Sequence, residues 1–310
     1  MMRINNKKEI LKYMDDVLFF FRSYLRSKDF VEILTPKLVP VATDPIRGTK
    51  KEIFIVFSTN GQKRGLLAQS PQMFKQMAVC YGLQRVYEIC PTWRDNVEKT
   101  ERHNDEFWTI DVEMAGISTE DQLMTFLGNM IKCVSDRIFK KYHLKIGDVK
   151  YPIPVILYDD AISLLNDNGI NIKWGEDIGP DREKKLANLL KNTVGDMFFI
   201  KKYPKSVKKF YIKSYDDDNK YKHAFDLIFK GWEISSGGIR ETNIKIIIEK
   251  MEEFGVNPRD YMFYLKVLEE NPTNHGGFSL GFDRFIAKSL NIDNINKFKK
   301  HLWGLNYETK

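Results

Sequence analysis

Two carboxylates and an arginine stand close together in residues 223–241, His-Ala-Phe-Asp-Leu-Ile-Phe-Lys-Gly-Trp-Glu-Ile-Ser-Ser-Gly-Gly-Ile-Arg-Glu. Apolar residues alternate with other types around Lys230-Gly231. That pattern predicts two antiparallel strands joined by a tight turn. Asp226 and Glu233 fall on opposite arms, where they face each other across the ladder. Like charges that close repel unless a cation sits between them. Mg²⁺ takes a few carboxylates plus phosphate oxygens and suits such a pair; a solvated surface charge pair is the plain alternative. Ser235-Ser236-Gly237-Gly238 lacks bulk, so a ligand can approach the backbone there. Arg240 follows, with a planar fork that grips a carboxylate through two parallel hydrogen bonds.

Three further stretches carry groups suited to anions. Ser70-Pro71-Gln72-Met73-Phe74-Lys75-Gln76 reads as a strand end entering a helix, with Ser70 as N-cap and Pro71 at the first helical position. Gln72 and Lys75 then share one face near the positive end of that helix. Arg85–Cys90 and Phe107–Met114 read as a hairpin whose long charged loop holds Arg94, Arg102 and His103. Arginines flanking such a loop suit phosphates. Glycines at 276, 277 and 281 in a strand entering a helix require close backbone approach, with Arg284 at the helix start.

The elements that position these groups are legible in outline. Residues 7–28 form an amphipathic helix through Ile10, Leu11, Met14, Leu18 and Phe21. Phe30–Leu34 is a short strand, residues 41–52 a polar loop of lid-like length, and 118–143 a long helix with Ser118 and Asp121 as a box-like cap. Residues 144–195 read as a mixed insertion with helical pieces at 158–165 and 182–190. Met197–Tyr203 and Phe210–Tyr215 are strands, and helices follow at 243–254 and from Asn257-Pro258 to about residue 269. Consecutive hairpins without regular helix alternation predict an α+β fold, an antiparallel sheet flanked by helices.

Composition bounds the class. The chain has 310 residues, is 43% hydrophobic and has formal charge +7. It is long enough for a full core. No apolar run reaches the length of a membrane span, and no signal-peptide pattern is present. Three cysteines without metal-like spacing suit a reducing cytoplasm. The positive balance permits an anionic partner such as nucleic acid.

The units, in this order, resemble the three signature motifs of class II aminoacyl-tRNA synthetases, most closely aspartyl-tRNA synthetases of archaeal type. Phe30–Leu38 with Pro36 is similar to motif 1, a dimer-interface element. Arg94, Arg102-His103 and Phe107–Met114 are similar to motif 2. Gly277-Phe-Ser-Leu-Gly-Phe-Asp-Arg284 is similar to motif 3. Glu233-Ile-Ser-Ser-Gly-Gly-Ile-Arg-Glu241, Trp174-Gly-Glu-Asp-Ile178 and Gln69-Ser-Pro-Gln-Met-Phe-Lys-Gln76 also resemble that group.

The resemblance implies an ATP- and Mg²⁺-dependent ligase that activates aspartate, or a close analogue, as an acyl-adenylate. Arg94, Glu233 and Arg284 would be catalytic. Arg94 would hold the α-phosphate, Arg102 and His103 the β and γ phosphates, and Phe107 and Arg284 the adenine. Asp226 and Glu233 would hold the metal. Asp44, Ser70, Gln72, Lys75, Asp111, Ser236 and Arg240 would hold the amino acid, with Lys75 and Arg240 neutralising its side-chain carboxylate. The implied acceptor is tRNA; ammonia or a small amine is the alternative, as in asparagine synthetase-like relatives. A non-catalytic tRNA-binding paralog is a third reading. The implied assembly is a homodimer through the motif 1 region.

The chain departs from the family pattern at four places. It reads as a single catalytic domain over 1–310, without the N-terminal anticodon-binding domain. The substrate-closing loop has Thr43-Asp44-Pro45-Ile46 in place of Glu-Gly-Gly after its threonine. Asn96 stands where an adenine-reading glutamate is expected. Lys297–Lys310 replaces the C-terminal Phe-Pro-Arg segment.

Overall fold

A computed structural model of the chain describes residues 6–45, 53–95 and 100–304. Asn96, Ile46 with the rest of the 46–52 loop, and residues 305–310 lie outside the described residues. The chain opens with α1 (Lys7–Arg26), short strands β1 (Val31–Glu32), β2 (Leu38–Val39) and β3 (Ile55–Phe57), then β4 (Lys63–Leu67) and α2 (Gln72–Cys80). A long hairpin, β5 (Arg85–Trp93) and β6 (Glu106–Ala115), precedes α3 (Glu120–Tyr142), β7 (Val155–Leu157), α4 (Tyr158–Asp167) and α5 (Gly179–Val194). Next come β8 (Met197–Pro204), β9 (Tyr221–Phe229), β10 (Trp232–Ile239), α6 (Ile244–Glu253) and α7 (Met262–Glu270). β11 (His275–Gly281), α8 (Phe282–Ser289) and α9 (Ile295–Trp303) complete the described part.

One sheet of eight strands, in the order β1-β5-β6-β11-β10-β9-β8-β7, organises the molecule. Its inner pairs are antiparallel, and only the outer pairs β1/β5 and β7/β8 are parallel. This is the expected α+β architecture. Residues 144–195 join the same sheet: they supply its edge strand β7, and α4 and α5 pack beside it.

Strand alternation divides the side chains between two faces. Ile110, Val112 and Met114 of β6, Phe225 and Leu227 of β9, and Phe278 and Leu280 of β11 pack under α1, α3 and α8. Phe198, Ile200, Ala224 and Ile228 pack against α2, α4, α6 and α7 on the other face. The intervening polar residues Thr109, Asp111, Glu113, Ser279 and Asp226 therefore share the second face. A gap between its helices becomes the cleft.

Several local expectations are corrected. Phe210–Tyr215 is not a continuous strand: Phe210 and Tyr211 turn, and Ile212 and Ser214 make only isolated bridges, to Arg240 and Lys222, where the segment passes the end of β10 and the start of β9. The cap of α3 is Thr119 with Gln122, whose side chain accepts from the backbone N–H groups of Ser118 and Thr119 at 2.9 and 3.1 Å. The first strand shrinks to Val31–Glu32. α2 starts at Gln72 with Pro71 in the capping position, while the Ser70 hydroxyl accepts from Gln72 N at 3.2 Å. Asp226 and Glu233 are not directly opposed: the two-residue turn sets Glu233 across from Ile228, and the bulge that follows sets Asp226 across from Ser236. The Lys230-Gly231 turn is as expected, with φ of 46° and 76°, the pair of left-handed residues that a two-residue hairpin requires.

Candidate active site

The cleft has a volume of about 760 Å³ and lies on the polar face of β6, β9, β10 and β11. That size accommodates a nucleotide beside a small acid. Arg94, Arg102, His103, Phe107, Asp44, Ser70, Gln72, Asp111, Asp226, Glu233, Ser236, Arg240 and Arg284 all line it. Lys75 does not line it. Its ammonium lies behind Asp111, 1% exposed, at 3.0 Å from Asp111 Oδ1 and 3.5 Å from Glu113 Oε2.

The inner end is a buried charge lattice. Arg240 donates from Nε and Nη2 to the two carboxylate oxygens of Glu113, at 2.8 and 3.0 Å. Burial pushes the Glu113 carboxyl up, but Arg240 and Lys75 more than offset this and hold it below the usual range. Thr109 and Ser279 hydroxyls donate to Asp111 Oδ2 at 2.7 and 3.1 Å. Two cations thus meet two carboxylates, so the lattice is balanced without a ligand. Gln72 accepts from Arg240 Nη2 at 3.4 Å, while its own Nε2 is buried without a partner. A buried donor left unpaired is costly, and a ligand carboxylate or carbonyl is the group that satisfies it.

The outer end is rich in arginine. Arg284 donates to the Glu233 and Arg102 carbonyls at 2.8 and 3.3 Å, and burial beside Arg102 lowers its guanidinium to about 10. Arg94 lies 5.7 Å from the centroid of the Phe107 ring. Arg102 forms a two-pronged buried pair with Glu183 of α5, whose carboxyl burial pushes up to about 7. Glu183 also accepts from Glu233 N at 2.8 Å.

Between the two ends, residues 42–45 strap across the cleft. Thr43 Oγ accepts from Gln69 N at 3.0 Å, and Tyr261 donates to the Ala42 carbonyl at 2.9 Å. Asp44 binds Arg94 at 2.9 Å, Tyr211 at 3.1 Å and Lys209 at 3.3 Å. Burial raises its carboxyl, yet Lys209 and Arg94 together keep it below the usual range.

Metal fit rests on Asp226 and Glu233. Asp226 is buried and Glu233 half-buried in the cleft wall; burial, and then the charge of Glu233, push the Asp226 carboxyl up against the opposing pull of Lys208. No cluster of three or more metal-ligating side chains exists among the described residues. Two carboxylates completed by phosphate oxygens and water are nevertheless the usual set for Mg²⁺, so the residues fit a metal that arrives with a nucleotide.

Glu113, Asp177, Glu183, Lys208, Lys209 and Tyr211 are site residues that sequence reasoning missed. Glu113 was within reach, two residues from Asp111 and hence on the same strand face. Asp177 stands in the Trp174–Ile178 stretch that resembles the family; the others bear no signal, because their partners are distant in the chain.

His103 gives a pH expectation. Burial, then Arg284, Arg102 and Arg94, depress its imidazole to about 3. The unfolded chain therefore protonates first, near the ordinary value of about 6.5, and stability falls as pH drops below it. Buried His275 acts in the same direction. His103→Gln is expected to lose less melting temperature than the unaltered protein between about pH 7 and pH 5. Equal slopes in thermal melts contradict this.

The sequence pattern of the tRNA synthetases class II (D, K and N) matches residues 1–300. The aspartate–tRNA(Asp) ligase of Pyrococcus horikoshii is 39% identical over 93% of this chain and 66% of its own length. The aspartate–tRNA(Asp/Asn) ligase of Methanopyrus kandleri is 30% identical over 96% of this chain and 68% of its own. The asparaginyl-tRNA synthetase of Pyrococcus horikoshii, solved with asparaginyl-adenylate, superposes with a TM-score of 0.84 at 28% identity, covering 94% of this chain and 67% of that one. The chain spans 66% of the length of the first of these relatives, just under two thirds.

Proposed function

The chain belongs to the class II tRNA synthetases (D, K and N), and from that premise we propose that its cleft joins the α-carboxylate of aspartate to the α-phosphate of ATP. The observation that carries the reading is the division of the cleft. A cationic outer end suits a polyphosphate, and an inner end offers Arg240 and the unpartnered Gln72 amide to a small acid.

In the proposed reaction a carboxylate oxygen attacks the α-phosphorus, the bond to the bridging oxygen breaks, and pyrophosphate leaves. No side-chain nucleophile is needed; positioning and charge stabilisation do most of the work. Arg94 stabilises charge on the α-phosphate once Asp44 releases it. Arg102, His103 and Arg284 face the outer phosphates and the base, with Phe107 as a stacking surface. Asp226 and Glu233 would hold Mg²⁺, which when bound neutralises phosphate charge. Arg240 bonds Glu113 through Nε and Nη2, so Nη1 and the Gln72 Nε2 remain for the substrate's side-chain carboxylate. An amide in that place offers its NH₂ to a cation and to another donor, which costs binding.

We propose tRNA as the acceptor, a reading supported by the names of the relatives and by the positive charge of the chain. Ammonium and small amines are tested beside it. A homodimer is proposed through the region of α1 and β1–β3, supported by the exposed apolar residues Phe19, Leu34, Leu38 and Phe57 there. No helix among the described residues is long and apolar enough to cross a membrane.

Exchange of labelled pyrophosphate into ATP is the direct measurement. Aspartate is expected to support it, and asparagine to support it about 100-fold less well. Absence of exchange with every acidic amino acid would falsify the proposal. Trapped adenylate, offered tRNA, ammonium or amines, then reports the acceptor.

A further inference from the structure

The segment before Tyr211 sends two consecutive lysines to two different carboxylates. Lys209 pairs with Asp44. Lys208 pairs with Asp226, its Nζ lying 2.6 Å from both Oδ1 and Oδ2. The contact is sheltered, with side-chain exposures of 13% and 7%. The ammonium also lies 3.8 Å from the centroid of the Tyr203 ring, a cation–π seat that fixes it over the strand.

Lys208 serves more than one anion. Its charge also acts on the carboxylates of Asp177 and Glu233. Burial raises the Asp226 carboxyl, and Glu233 raises it further, while Lys208 opposes both. Of the three acidic groups Asp226 alone is buried, and Lys208 is the cation seated on it, whereas Glu233 and Asp177 also feel Arg102. An ammonium is a point charge with three donors, and here it occupies the oxygens that a divalent cation needs.

We infer that Lys208 is a built-in counter-ion that closes Asp226 to a divalent cation until a nucleotide polyphosphate draws the ammonium away, so that metal and nucleotide enter together. This rests on the proposed role of Asp226 and Glu233 as the metal-facing pair. The coupling has an electrostatic cause. A metal arriving alone must push Lys208 off both oxygens, which leaves a buried ammonium beside a divalent cation and no added anion. A polyphosphate supplies that anion, so the displaced lysine is paired again and the metal gains oxygen ligands.

Binding of Mn²⁺, followed by the electron paramagnetic resonance signal of the free ion, tests the inference without turnover. Unaltered protein, Lys208→Met, Lys208→Arg and Asp226→Asn are titrated with and without a non-hydrolysable ATP analogue. Thermal melts establish folding, and Lys208→Gln replaces the methionine variant if that one is unstable. Without nucleotide, Lys208→Met is expected to bind Mn²⁺ at least about tenfold more tightly than the unaltered protein. Lys208→Arg is expected to behave like the unaltered protein, because it keeps the charge. Equal nucleotide-free affinity in Lys208→Met and unaltered protein overturns the inference and leaves Lys208 a structural partner. With the analogue, unaltered protein is expected to retain Mn²⁺ and Asp226→Asn to retain less. Failure of that arm overturns the metal-facing reading itself.

Discussion

Arg240→Leu is expected to reduce aspartate-dependent pyrophosphate exchange by about a thousandfold or more, since the site is built around a charged partner for the substrate. Its consequences reach beyond binding. Arg240 donates twice to Glu113, and both side chains are almost fully buried, at 2% and 0% exposure. Removing the guanidinium leaves the Glu113 carboxylate with only Lys75, at 3.5 Å. Breaking one side of such a pair costs about 3–5 kcal/mol. The single variant therefore loses stability together with activity, and exchange alone does not separate the two. Arg240→Leu combined with Glu113→Leu removes both charges and is expected to recover most of the melting temperature. Lys75 keeps Asp111 in that double variant. A folded double variant that still binds the ATP analogue, yet shows no exchange with aspartate, assigns Arg240 to the acid. Normal exchange in it would show the substrate assignment to be wrong even with the fold right.

Gly277→Ala is expected to be the most damaging small change in the sheet. A Cβ at this position would lie 2.1 Å from the Val112 carbonyl and 2.3 Å from Glu113 Oε2. Gly277 is the cross-strand partner of Glu113 in the β6–β11 ladder. The glutamate side chain crosses the space over the glycine on its way to Arg240. Either the ladder opens or Glu113 leaves Arg240. Overpacking alone costs about 1–3 kcal/mol, and disturbing the buried pair adds to it, for a total of about 3 kcal/mol or more. Two neighbours serve as controls. At Gly276 the nearest atoms to a Cβ are two side-chain methyls at 3.1 Å, and at Gly281 the nearest is a carbonyl at 3.5 Å. The expected order of melting temperatures is Gly281→Ala highest, then Gly276→Ala, then Gly277→Ala. A Gly277→Ala protein that melts with Gly281→Ala would show that Glu113 has room to move.

Much of the sheet was legible because strand alternation is a local property. The β6 run Thr109-Ile-Asp-Val-Glu-Met places polar and apolar residues on alternate faces whatever lies around it. Lys230-Gly231 likewise specifies its turn through local backbone preferences. Phe210–Tyr215 misled for the opposite reason. Its β-forming composition needs a partner strand, and the fold offers only two isolated bridges. The bulge at Glu233–Ser235 was equally silent, and it decides how Asp226 and Glu233 stand to each other.

The sequence by itself determined the chemical inventory of the cleft: which arginines, carboxylates and glycines are present, and their order along the chain. It also determined the α+β class, through hydrophobic periodicity. Only the tertiary structure decided how those groups are paired. Lys75 meets Asp111 across 36 residues, Arg102 meets Glu183 across 81, and Arg240 meets Glu113 across 127. It therefore moved Lys75 from the cleft wall to the layer behind it, gave Arg94 to Asp44, and put an ammonium on Asp226. The reason is physical. Periodicity assigns a side chain to a face, but a buried charge takes whichever opposite charge the packing of distant elements brings within a few ångströms.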